Sequence, residues 1–132
     1  MKQMILSNNP KVKNELNNLK FEGNFDFNVE IGYLDVLCRA RNLIHLGHTL
    51  LTHPLSGSIK PSETPYKSIV LSEKPGKLDY QSMEIIEDSI ELAKQMIEGS
   101  RKRIYTDKIR EDFQLVDYAL LQNALESINQ FR

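Results

Sequence analysis

The spacing of apolar residues changes character at residue 79, and this change restricts the fold more than any other feature. Before it, short apolar runs alternate with stripes stepped by three and four residues. After it, only helical stripes occur. Strand-like runs interleaved with helices imply a sheet covered by helices, and strands joined through a helix run parallel.

Met4-Ile5-Leu6 reads as a short buried strand ending at Ser7-Asn8-Asn9-Pro10. Asn9 suits a helix N-cap and Pro10 the first helical turn, where its missing N–H would be unpaired anyway. Val12, Leu16 and Leu19 follow at helical spacing, and Gly23 interrupts them. Phe25, Phe27, Val29 and Ile31 alternate with polar residues as a half-buried strand does. A helix carrying Tyr33, Leu34, Leu37, Cys38, Ala40 and Ile44 runs to Gly47, and Thr49–Thr52 reads as a third strand. Residues 53–65 hold three prolines and one glycine and predict a loop. Tyr66–Ser72 is the fourth strand, closed by Pro75-Gly76.

Asp79 then suits the cap of a helix with the stripe Met83, Ile86, Ile90, Ala93 and Ile97. Its other face, Glu84, Glu87, Glu91, Lys94 and Glu98, is polar, and Gly99 ends it. Thr106 caps a last helix with the stripe Ile109, Phe113, Val116, Leu120, Ala124 and Ile128. The expectation is an α/β fold with a small, mainly parallel four-stranded sheet. Helices lie on both faces, and two C-terminal helices complete it. Residues 1–132 form one domain, with a core over 1–78 and a helical pair over 79–132.

Composition narrows the function. The 132 residues include 17 Lys+Arg and 18 Asp+Glu, a net charge of −1, and one cysteine. A chain of this size buries roughly two thirds of its unfolded surface and supports one core without staples. One thiol excludes an internal disulfide and a four-thiolate zinc site. A near-neutral balance argues against bulk nucleic-acid or membrane-surface binding. The first apolar run, Met4-Ile5-Leu6, is far shorter than the about 7–15 residues of a signal peptide. The expected location is therefore cytoplasmic, with Cys38 reduced and packed among apolar neighbours.

In an open sheet, ligands sit beyond the carboxyl ends of parallel strands. That places Ser7-Asn8-Asn9, Ile31-Gly32-Tyr33 and the start of the 53–65 loop at one edge. Ser56-Gly57-Ser58 offers backbone N–H groups and hydroxyls suited to an anion, with Lys60 and Lys67 as sources of positive charge. The same residues also shape turns. Neither a phosphate-binding P-loop nor a dinucleotide glycine fingerprint occurs, so no cofactor is expected. His45, His48 and His53 do not converge at metal-ligand spacing, so no metal is expected. His53 is the candidate acid–base. Asp117 falls on or beside an apolar stripe; it either pairs structurally or orients His53. Arg101-Lys102-Arg103 follows a helix end and would complement its negative pole.

The block from Leu43-Ile44-His45-Leu46-Gly47-His48 through His53-Pro54-Leu55-Ser56-Gly57-Ser58 to Tyr66-Lys67-Ser68 resembles the GrdX family. So do Ser7-Asn8-Asn9-Pro10, Glu84–Ile90 and Asp112–Tyr118. Those small proteins are encoded with the glycine, sarcosine and betaine reductase systems of amino-acid-fermenting anaerobes. The resemblance implies an accessory role and supplies no catalytic residue. It points to a non-catalytic protein that binds a small anionic metabolite or a glycine reductase component. The residues for this are Ser7, Asn8, Asn9, His53, Ser56, Gly57, Ser58, Lys60 and Lys67, and a homodimer is left open. The alternatives are a small hydrolase or phosphoryl-transfer enzyme using His53 and Asp117, and a structural partner acting through the last two helices.

Overall fold

The computed structural model describes residues 2–55, 57 and 59–130. Its sheet has three strands in the order β2-β1-β3. β1 (Gln3–Ser7) lies in the middle, parallel to β2 (Gly23–Phe27) and antiparallel to β3 (Ser68–Ser72). The sheet is therefore mixed, not the expected four-stranded, mainly parallel one.

The lost strand is Thr49–Thr52. It runs beside β3, with Leu51 N donating to Val70 O at 2.9 Å and Ser72 N to Thr49 O at 2.8 Å. Only the Leu50–Leu71 bridge forms. Hydroxyls take the other ladder positions: Thr49 N donates to Ser72 Oγ, Leu50 N to Ser82 Oγ, and Thr52 Oγ1 accepts from Val70 N. Side chains that satisfy the backbone in this way compete with regular pairing.

β2 also begins earlier than its alternation suggests. The strand stops at Phe27, and Val29 is 53% exposed. Asn28 ends it: its Oδ1 accepts from Glu30 N in an Asx turn. At the other end Gly23 makes the pairing possible. Its φ is +142°, and a Cβ there would lie 1.8 Å from Gln3 O.

Alternating side chains of the strands feed two cores. On one face Leu6, Ile69 and Leu71 pack with α2 (Tyr33–His45) and α3 (Tyr80–Glu98), through Val36, Leu37, Ala40, Ile44, Ile86, Ile90 and Ala93. On the other, Ile5 and Val70 meet Val12 of α1 (Pro10–Asn14), Leu19, and Tyr118, Leu121 and Leu125 of α4 (Asp107–Gln130). Helices thus cover both faces as expected. The two C-terminal helices go to opposite faces: α3 lies against α2, and α4 against α1 and β3.

The helix ends follow local chemistry. Asn9 Oδ1 accepts from Lys11 N at 3.0 Å with Pro10 beside it. Thr106 Oγ1 accepts from Ile109 N, and Gly99 N closes α3 onto Gln95 O. α4 departs from its expected stripe. The buried residues are Asp117, Tyr118, Leu121 and Leu125, about one position later than Val116, Leu120 and Ala124. No helix among the described residues is long and apolar enough to cross a membrane.

Gly23→Ala should weaken the protein by about 2–4 kcal/mol, combining a strained φ with a backbone clash. Urea unfolding measures this, and an unchanged midpoint would show that β2 can shift along β1 without penalty.

Candidate functional site

β1 ends in three polar residues, and all three are buried: Ser7, Asn8 and Asn9. Buried polar groups must be hydrogen-bonded, and these are. Asn8 Oδ1 accepts from Lys67 N at 2.8 Å, and its Nδ2 donates to Ile31 O at 3.0 Å and Pro65 O at 2.8 Å. One amide thus joins the end of β1, the approach to α2 and the start of β3. This is also why β3 begins at Ser68 and not Tyr66: the Lys67 N–H is held by a side chain.

Asn9 faces the opposite way. Its Nδ2 donates to Gln114 O and to Asp117 Oδ2, each at 2.9 Å. These bonds rotate α4 so that Asp117 points inward. Asp117 Oδ2 also accepts from Ser68 Oγ at 2.7 Å. Ser68 has one hydroxyl proton, so Ser7 Oγ donates to Ser68 Oγ across their 2.8 Å contact. Asn9 N in turn donates to Ser7 Oγ at 3.0 Å. The result is a directed chain from the Asn9 N–H through Ser7 and Ser68 to the carboxylate.

Lys67 completes the site. It is 7% exposed and Asp117 8%. Its ammonium lies 5.8 Å from the centre of the Tyr33 ring, within cation–π range. No hydrogen bond or ion pair of the Lys67 ammonium occurs among the described residues. Burial pulls the Lys67 pKa below the ordinary lysine value, and the nearby Asp117 charge opposes that. Burial pushes the Asp117 pKa up, against the donors from Ser68 and Asn9 and the charge of Lys67. Burial, reinforced by Asp117, also raises the Tyr33 phenol, which stays protonated as a donor. An acid and an amine are each driven toward neutrality in one small space, an arrangement concentrated at functional sites.

Two cavities flank this pair. Each admits water centres over about 20 Å³, room for about one water. One lies between Tyr33, Thr64 and Tyr66 and the α4 residues Phe113, Val116 and Leu120. The other lies toward Thr52, Val70 and Ala124. Gln114 Nε2 holds the Tyr66 hydroxyl at 2.9 Å. The tip of the 53–65 loop rests on α4: Gly57 has φ +100°, and a Cβ there would meet Leu120 Cδ1 at 2.8 Å.

The other expected site residues lie elsewhere. His53 is exposed in a turn, not at a strand end, and its Nδ1 accepts from Leu55 N at 3.1 Å. It shares no hydrogen bond or ion pair with Asp117. Lys60 is exposed, its backbone N bonded to Glu63 Oε1. Ser56 and Ser58 fall outside the described residues. His45 pairs with Glu87 at 3.6 Å, and buried His48 places Nδ1 2.8 Å from Ser72 O. Of the nine ligand-binding candidates, Ser7, Asn8, Asn9 and Lys67 are brought together, with Asp117 beside them. Tyr33 was hidden in the apolar stripe of α2, and only its place after Ile31-Gly32 at the sheet edge signalled it. Tyr66 and Gln114 had no signal in the sequence.

Asp117→Asn tests the electrostatics, since an amide oxygen still accepts from Asn9 and Ser68. A carboxyl whose folded pKa is raised contributes its stability fully below the ordinary value of 3.8 and loses it as pH rises through the folded pKa. The wild type should therefore lose stability relative to Asp117→Asn between about pH 4 and pH 7. Urea unfolding at both pH values reads the difference, and a constant difference would refute the raised pKa.

Comparison with known proteins adds one finding. No curated protein and no solved structure matches the chain. A family model described as GrdX-like protein matches residues 4–126, a span that takes in Asn8, Asn9, Tyr33, Lys67 and Asp117. The chain belongs to the GrdX-like protein family.

Proposed function

We propose that this protein is a non-catalytic accessory component of the glycine reductase system that binds a small anionic ligand through the 53–68 loop, at Lys67 beside Ile59, Thr64 and Tyr66. The observation that carries the reading is Lys67, a residue 7% exposed that borders both cavities, with no anionic atom bonded to its ammonium among the described residues. A cation on a largely buried side chain loses hydration, and a bound anion offsets that loss. Tyr33 supports the reading as a protonated donor at the same cavity. The link to the reductase rests on the resemblance described above, in which such proteins are encoded beside it. The absence of a His53–Asp117 contact favours binding over hydrolysis.

An anion entering beside Lys67 also meets Asp117, and repulsion falls when that carboxyl is protonated. Binding therefore takes up a proton, and affinity should rise as pH falls. Formate, the smallest carboxylate, is the probe. In NMR titrations between about pH 5 and 8, wild-type affinity should increase toward the acid end. Asp117→Asn should lose the part of that rise that comes from the Asp117 carboxyl and keep only what protonation of Lys67 contributes. Lys67→Met should weaken formate binding by about tenfold or more, the scale of a lost charge-assisted hydrogen bond. Unchanged formate affinity in a folded Lys67→Met protein would overturn the proposal.

A further inference from the structure

A third, larger cavity opens beside the Lys67 site. It admits water centres over about 320 Å³ and is bordered by Arg101, Lys102 and Arg103 on one side and Pro61, Ser62 and Thr64 on the other. Its lining contains three cations and no carboxylate. Tyr33 and Thr64 line this cavity and the inner one alike, so the two adjoin.

The basic triplet is not needed by the helix it follows. At the end of α3, Gly99 N donates to Gln95 O, and the Ser100 N and Oγ both reach Ile97 O. Backbone and Ser100 thus close the helix. No ion pair of Arg101, Lys102 or Arg103 occurs among the described residues, and all three are exposed. All three residues line the cleft.

We infer that the ligand is a small phosphate ester with two ends, its phosphate seated on Arg101, Lys102 and Arg103 and its compact polar end reaching Lys67. This rests on the Lys67 reading and extends it to a ligand class. Guanidinium groups match phosphate oxygens in pairs, which suits a dianion better than a lone carboxylate. The inner seat, with room for about one water, limits the other end to a group of a few atoms. That limit, and a net charge of −1, favour a metabolite over a nucleic-acid backbone.

Four probes separate the seats: inorganic phosphate, formate, phosphoglycolate, which joins a phosphate to a carboxylate, and a short single-stranded oligonucleotide. Calorimetry or NMR titration at fixed low salt reads each affinity. Phosphoglycolate should bind at least tenfold more tightly than phosphate or formate. The exposed triple variant Arg101→Gln, Lys102→Gln, Arg103→Gln should lose about tenfold or more for phosphate and phosphoglycolate and leave formate unchanged. Lys67→Met should do the reverse, losing formate and phosphoglycolate while keeping phosphate. Phosphate affinity untouched by the triple variant overturns the phosphate seat and leaves the Lys67 reading standing. Formate affinity untouched by Lys67→Met overturns the inner seat. Phosphoglycolate no tighter than phosphate shows that one ligand does not span both. An oligonucleotide that outbinds phosphoglycolate, or no binding of any probe, rejects the inference.

Discussion

Two neighbouring amides, Asn8 and Asn9, hold together what the sheet alone leaves apart. A three-stranded sheet with five-residue strands has few ladder bonds with which to fix its surroundings. Asn8 reaches the approach to α2 and the start of β3, while Asn9 caps α1 and grips α4. Both are almost wholly buried, so each unmade bond would carry the full penalty of a desolvated polar group. Asp117 becomes buried through the same contacts, and the electrostatics of the site are a consequence of how the fold is fastened.

Where local chemistry decided the structure, it could be read in the residues. Asn9-Pro10, Gly99 and Thr106 act where their own backbone preferences place them. The stripe of α3 is buried as spaced, with Ile86, Ile90 and Ala93 in the core. Where two distant segments compete for one backbone group, the sequence was silent. Thr49–Thr52 has strand-like residues, yet Ser72, Ser82 and Thr52 hydroxyls intercept its ladder. α4 shows the same limit. Its apolar spacing put Val116 inward, but bonds from Asn9 turned the helix until Asp117 lay there. The displaced stripe was put to use: Phe113, Val116 and Leu120 wall the inner cavity. The site was legible only in part for the same reason. Ser7, Asn8, Asn9 and Lys67 stand at strand ends, whereas Tyr66 and Gln114 meet across 48 residues.

The Lys67–Asp117 pair gains from being imperfect. A fully bonded buried ion pair would satisfy itself and leave nothing for a ligand. Here Ser68 and Asn9 occupy one carboxylate oxygen, Oδ2, and the ammonium lies over the face of Tyr33 with no hydrogen bond or ion pair among the described residues. Desolvation then pushes the two groups toward their neutral forms. Each charge offsets part of the other's desolvation. An arriving anion would add to the stabilisation of the charged lysine.

Charge is also divided in space in a way that the overall balance conceals. The exposed face of α3 carries Glu84, Glu87, Glu91 and Glu98, whereas the cleft lining carries Arg101, Lys102 and Arg103 without a carboxylate. In the proposed site the exposed triplet acts through water, so salt screens it within about 10 Å, and its effect would fall mainly on approach and capture. Lys67 is largely buried, so salt reaches it less, and its effect would fall on retention. A two-ended anion would meet these in order, drawn first by the guanidinium groups and then held by the ammonium. Cys38 stands apart from that path. It is half-buried against the α2–α3 core and lines none of these cavities.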